Sequence, residues 1–125
     1  MPKLFAPPRF KRVDHRGLFV EVIAEGRWES ILHGRMHAGA VIGHHYHTLA
    51  RLYFYLTSGE ADVHIVRVCD GVRESFCLPA GEGVYLEPNE AHAICFTKAS
   101  EFILAKSRRH DPADPDTIPY ELEID

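Results

Sequence analysis

The chain predicts an all-β domain closed as a sandwich or barrel, on three observations. Eight short runs rich in Val, Ile, Phe, Tyr and Leu are separated by Gly, Pro, Asn and Asp, the punctuation of strands and tight turns. No run keeps a helical period over twelve residues or more. The length of 125 residues supports one hydrophobic core, and many short strands can bury their apolar faces around a single core only as a sandwich or barrel, jelly rolls included. The core is expected over about 14–107, with an extended segment over 108–125.

The strands follow in order. LFVEVIA (18–24) and WESILHGRMH (28–37) come first, then LYFYLT (52–57). ADVHIVRVC (61–69) and VRESFCL (72–78) are joined by Asp70-Gly71, a strong hairpin signal because a type I′ turn needs positive φ at both central positions. VYLE (84–87), HAICFT (92–97) and EFILAKS (101–107) complete the set. The tail HDPADPDTIPYELEID holds three prolines and six acidic residues and reads as an extended surface segment.

Composition narrows the function classes. With 46% hydrophobic and 26% charged residues, the chain is an ordinary globular protein rather than a disordered tail or a membrane span. A formal charge of −4 and a pI near 6.1 argue against nucleic acid as a partner, since that needs a basic face. The start MPKLFAPPRFKR lacks the apolar run of a signal peptide, so a cytoplasmic location is expected. Cys69, Cys77 and Cys95 lack metal-finger spacing and an even count for disulfides, and are expected as buried small apolar residues.

The chemistry centres on GAVIGHHYH. Alternate residues of a strand share a face, so His45 and His47 project together while His44 and Tyr46 face the other way. Two imidazoles on one face make half of a metal site, and His92, after the Pro88-Asn89-Glu90-Ala91 turn, is the third candidate ligand. Imidazole ligands favour a divalent transition metal, zinc first, with iron or nickel as alternatives.

Gly39, His45-x-His47 and Gly59, followed by Gly81 and a Pro-containing turn into His92, resemble the two sequence motifs of the cupins over about half the chain. The resemblance implies a cupin fold, a jelly-roll barrel in which the three histidines converge on a metal. Leu52 stands where the usual fourth ligand, a glutamate, is expected, and Glu87 and Asn89 replace the proline and glycine of the second motif. Upstream, DHRGLFVE (14–21) resembles the DxRGxFxE signature of the dTDP-4-dehydrorhamnose 3,5-epimerase superfamily, GHHYH resembles the stretch carrying its catalytic histidine, and GEADV (59–63) its following strand. The tail DPADPDTIPYELE is similar to the end of the metal-containing cupin domain of capsular-polysaccharide UDP-sugar epimerase/reductases. Together these span most of residues 5 to 122.

The resemblance implies substrate contacts from Arg16 to a nucleotide diphosphate, from Phe19 stacking on the base and from Glu21 accepting hydrogen bonds; the planar fork of arginine suits phosphate. Leu52 also occupies the place of the lysine that stabilises the enolate in rhamnose-pathway epimerases. If His45 is a metal ligand, the base must come from elsewhere, with Tyr53, Tyr55, Tyr85 and Glu60 as candidates. If no metal binds, His45 is itself the base, as in the metal-free relatives. Simpler readings stand beside these. Arg16 and Glu21 suit a solvated surface pair, the spacing of His33 and His37 reads as incidental, His64 is expected exposed on the face opposite Ala61, Val63 and Ile65, and aromatics are favoured in strands without any chemistry.

The expected function is epimerisation or isomerisation of a nucleotide-linked keto sugar in polysaccharide or glycosylated natural-product synthesis. The alternatives are a metal-dependent cyclase or dioxygenase acting on an aromatic or polyketide substrate, and a non-catalytic sugar-binding cupin. A homodimer is expected, with KLFAPPRF as the exchanged or docked segment.

Overall fold

A computed structural model describes residues 10–124. Eleven strands run in order: β1 (Phe10–Asp14), β2 (Gly17–Glu21), β3 (Ser30–Met36), β4 (Val41–His47), β5 (Leu52–Ser58), β6 (Glu60–Arg67), β7 (Arg73–Pro79), β8 (Gly83–Leu86), β9 (Glu90–Phe96), β10 (Ser100–Lys106) and β11 (Thr117–Pro119). A four-stranded sheet in the order β3-β10-β5-β8 faces a five-stranded sheet in the order β11-β4-β9-β6-β7, and β1 and β2 form a separate hairpin. This is the all-β jelly roll that the strand pattern predicts.

Period-2 alternation builds the core between the two sheets. Leu52, Phe54 and Leu56 of β5 meet Val63 and Ile65 of β6 and Ile94 and Phe96 of β9. Phe54, Phe96 and Phe102 form an aromatic centre with ring centroids 5.0 to 6.3 Å apart.

Several expectations change. The run 18–24 ends as a strand at Glu21, and an unforeseen strand, β1, pairs with it from Phe10↔Glu21 to Asp14↔Gly17. The tail is extended but is not free surface. Its β11 adds to β4, and Leu122, only 5% exposed, packs with Val66, Ala91 and Ala93 on the outer face of the five-stranded sheet. Cys69 and Cys77 are exposed and Cys95 is half-buried, rather than buried. The reason for Cys77 and Cys95 is strand parity, which gives the inner face to their neighbours Leu78, Ile94 and Phe96. His64 lies on the outer face but is half-buried, with Nδ1 2.9 Å from Ser75 Oγ. Exposed His33 sits 3.6 Å from Glu101 across the β3/β10 pair. Of the segment KLFAPPRF, all but Phe10 lies outside the described residues.

Candidate active site

A backbone irregularity in β4 creates the site. Ile42 belongs to the inner face, so unbroken alternation would carry His44 and Tyr46 inward. Between Gly43 and His45 the β4/β9 register slips by one residue, and His44 takes φ 57° and Gly43 φ 103°. The slip flips parity, sending His44 outward and His45 and His47 inward. Glycine is required at 43, because a Cβ there would lie 2.5 Å from the His92 carbonyl oxygen. The outward His44 is then used structurally. Its Nδ1 accepts the Leu122 N–H at 3.0 Å, and its carbonyl accepts the Tyr120 N–H at 2.9 Å, which holds the tail down.

His45 pairs directly with His92 across β4 and β9, and His47 pairs with Thr117 of β11. The three rings cluster: His45 meets His47 and His92 edge-on at 5.1 and 4.8 Å between centroids, and His47 and His92 lie near-parallel at 6.2 Å. They line a cavity of about 200 Å³ whose apolar wall includes Leu52, Phe54, Leu86 and Ile94. His45, His47 and His92, expected to converge, do so.

Hydrogen bonding sets the tautomers. His45 Nδ1 is 3.1 Å from the Gly43 carbonyl, which can only accept, so Nδ1 carries the proton and Nε2 the free lone pair. His47 Nδ1 is 3.4 Å from Asp116 Oδ1 and 3.2 Å from Thr117 Oγ1. Asp116 is itself fixed by N–H groups of Leu49 at 3.1 Å and Ala50 at 2.8 Å. Burial, then neighbouring charge, pushes the His45 imidazole below its ordinary 6.5, and burial does the same for His47 against the opposing pull of Asp116. Burial, with His45 and His47 alongside, pushes His92 down to about 3. All three are neutral at pH 7, and His45 in particular is a ready proton acceptor.

The tyrosines are not in this cavity. Tyr53 and Tyr55 alternate with the inward Leu52, Phe54 and Leu56, so they lie on the outer face of the four-stranded sheet against Val20, Val22, Trp28 and Tyr85. Burial and the neighbouring Tyr85, Tyr55 and Glu25 push Tyr53 up to about 12, and burial raises Tyr55 and Tyr85. Strand parity thus places Tyr53, Tyr55 and Tyr85 outside the cavity that holds His45. The Glu60 carboxylate is engaged elsewhere, with Thr97 at 3.0 Å and Lys98 at 3.8 Å.

Arg16, Phe19 and Glu21 sit on the β1/β2 hairpin, which contributes nothing to the lining of the histidine cavity. The Arg16 guanidinium pairs with Asp14 at 2.7 Å rather than with Glu21. Phe19 is 65% exposed, its ring edge-on to Phe10 at 6.5 Å and 5.5 Å from the Arg12 guanidinium carbon. Arg12, Asp14, Arg16 and Phe19 share a surface hollow of their own.

Sequence reasoning missed Asp116, Thr117 and Lys106, all of which border the cluster. For Lys106 a signal existed, since it alternates with Phe102 and Leu104 in EFILAKS.

This geometry defines a cupin, a jelly roll with a histidine cluster at one end of the barrel. Solved structures place it more narrowly. The chain superposes on the ChmJ 3′-monoepimerase from Streptomyces bikiniensis in complex with dTDP with a TM-score of 0.79 at 19% identity, covering 95% of this chain and 72% of that one. The rmlC epimerase of Mycobacterium tuberculosis gives a TM-score of 0.75 at 20% identity, covering 87% and 64%. The capsular polysaccharide assembling protein CapF from Staphylococcus aureus gives 0.70 at 23% identity, covering 94% and 34%. The chain thus spans about a third of CapF and just under two thirds of the rmlC epimerase. No protein-family profile matches the chain, and no curated protein matches its sequence. What these likenesses establish is the fold: an RmlC-like cupin.

The expected divalent metal, zinc foremost, is corrected. Among the described residues no three or more His, Cys, Asp or Glu side chains are grouped so as to hold a metal ion. The place of a fourth, carboxylate ligand is filled by Leu52, only 2% exposed, and the His47 and His92 rings lie near-parallel with centroids 6.2 Å apart. The fold likeness also runs to 3,5-epimerases, the metal-free side of the resemblance.

Proposed function

We propose that this cupin epimerises or isomerises a nucleotide-linked keto sugar, with His45 as the base that removes a proton beside the carbonyl. The observation that carries the reading is the His45 imidazole itself: neutral, its proton fixed on Nδ1 by the Gly43 carbonyl, its other nitrogen free in a cavity walled by apolar side chains. The likeness to solved dTDP-sugar and 4-keto-6-deoxy-sugar epimerases supports the substrate class. His47, held by Asp116 and Thr117, stands beside it as an orienting and proton-relaying group.

Such an enzyme must exchange the labile proton with solvent. In deuterated water, a suitable dTDP- or UDP-linked 4-keto sugar is expected to gain deuterium at carbon 3 or carbon 5, read by mass spectrometry. No exchange with any such sugar, together with oxygen uptake or ring closure on an aromatic substrate, would discard this reading. Arg16→Ala is expected to weaken sugar-nucleotide binding about tenfold while leaving the exchange rate at saturation near wild type, because a phosphate contact far from the reacting carbon acts alike on ground and transition states.

We also propose a homodimer. The hairpin exposes apolar side chains on both faces, Val13 and Leu18 (68 and 62% exposed) on one and Phe10 and Phe19 (45 and 65%) on the other, which a second copy would cover. A second copy would also be the means of bringing Arg16 and Phe19 to a histidine cavity. Light scattering at micromolar concentration is expected to give twice the 14.2 kDa chain mass; a monomer refutes the dimer.

A further inference from the structure

Lys106 is the last residue of β10, and its position across the sheet is specific. Its backbone is pinned in register with both neighbouring strands, opposite Ser30 of β3 and opposite Leu52 of β5, and its carbonyl accepts the Glu29 N–H at 2.9 Å. Directly opposed residues of an antiparallel pair project to the same face, with Cβ atoms about 5 Å apart. Leu52 faces inward, and so do Phe102 and Leu104, which alternate with Lys106 along β10. Lys106 therefore projects into the barrel, where it lines the same cavity as His45, His47 and His92. Among the described residues Lys106, a lining residue of this cavity, forms no ion pair. Among the cavity's lining residues it is the one fixed cation, since the three histidines are neutral. Its field is felt there: after burial, it is among the charges that lower both His45 and His47.

Resting on the keto-sugar reading above, we propose that Lys106 is the catalytic electrophile of this site, the group whose ammonium stabilises the enolate oxygen. His45 Nε2 takes the proton from the carbon next to the carbonyl. The C–H electron pair forms the carbon–carbon double bond, and the carbonyl π pair moves onto oxygen, which becomes the oxyanion facing Lys106 Nζ. Solvent water supplies a proton to that carbon, on the opposite face for inversion, the oxyanion pair moves back to restore the carbonyl, and His45 gives its proton to the hydroxide left behind. The apolar wall of Leu52, Leu86, Ile94 and Leu104 lowers the polarity around the oxyanion, so an ammonium there acts on developing charge more strongly than in water.

The test uses the whole chain and two readouts. The first needs no substrate: NMR titration of the His45 ring proton is expected to show a higher midpoint in Lys106→Met than in wild type, as a repelling charge has gone. An unchanged midpoint overturns the placement of Lys106. The second is deuterium exchange into a dTDP- or UDP-linked 4-keto sugar. Lys106→Met is expected to lose about 10² to 10³ of the rate, the usual effect of removing one oxyanion-stabilising group, while dTDP affinity stays within about threefold. Lys106→Arg is expected to fall between the two. The relocation variant Leu52→Lys/Lys106→Leu, which returns the ammonium from the opposite strand, is expected to recover at least about tenfold over Lys106→Met. If Lys106→Met exchanges at the wild-type rate, the lysine assignment fails and the function stands. If wild type exchanges no keto sugar at all, both fail.

Discussion

Replacing His45 by glutamine is expected to abolish solvent exchange into a nucleotide-linked keto sugar, a loss of about 10³ or more. Positioned acid–base groups contribute about 10² to 10⁴, and glutamine has no basic nitrogen at any accessible pH. The substitution preserves much else. Glutamine is close in size and keeps a neutral polar group near the place of the imidazole. Loss of rate with intact dTDP binding would thus isolate the base from the pocket. The pH profile of wild type supplies a second check. The base must be neutral to act, and burial holds His45 below 6.5, so activity is expected to be flat at neutral pH and to fall only as pH drops through that lowered value. Exchange in His45→Gln within tenfold of wild type would remove His45 as the base and turn attention to His47 and its Asp116 partner.

The sequence carried the barrel well, because strand alternation, glycine punctuation and the Asp70-Gly71 hairpin are local signals. It also carried the pairing of His45 with His47, since two residues apart on a strand means the same side. It could not say which side. The deciding feature is the register slip at Gly43 and His44, which lets Ile42, His45 and His47 all face inward, and no composition signal marks a bulge in GHHYH. The tyrosines failed for a related reason. LYFYL is apolar at every position because both faces of β5 are covered, the inner by the core and the outer by Val20, Val22 and Trp28, so the run gave no clue which tyrosine faced what.

The polar supports of the site were hidden by distance along the chain. Asp116 reaches His47 from 69 residues away and lies in a tail rich in acids, where one carboxylate looks like any other. Only its seat under the Leu49 and Ala50 N–H groups separates it from its neighbours. Lys106 was hidden in a similar way, since alternation in EFILAKS puts it on the inner face but only its pairing with Leu52 across β10 and β5 brings it to the histidines. The metal failed on geometry. Three histidines in motif positions did meet, but as a stacked and edge-on cluster with leucine at the carboxylate place.

That cluster makes the fold acid-sensitive, which is the second large effect expected. His92 is 5% exposed and pushed down to about 3, whereas in the unfolded chain it titrates near 6.5. Between those values the unfolded chain binds a proton that the folded chain refuses, so stability is full above about 6.5 and is lost as pH falls toward 3. One such group costs about 1.4 kcal/mol for each pH unit below its unfolded value. His45 and His47 add to the slope in the same direction, being lowered as well, and Lys106 adds a positive charge that further opposes their protonation. Asp116, whose burial is outweighed by the Ala50, Leu49 and His47 hydrogen bonds, sits below its ordinary 3.8 and contributes only at the acid end of the window. Urea unfolding at fixed protein concentration is therefore expected to show stability falling by about 1.6 kcal/mol between pH 6.5 and pH 5 from the buried His92 alone. His92→Leu removes one titrating group and fills the same apolar wall, so its stability is expected to fall less steeply over that interval, by about one proton's worth. Wild-type stability that is level from pH 7 to pH 4.5, or a His92→Leu slope equal to that of wild type, would mean that His92 is not held neutral and dry in the barrel.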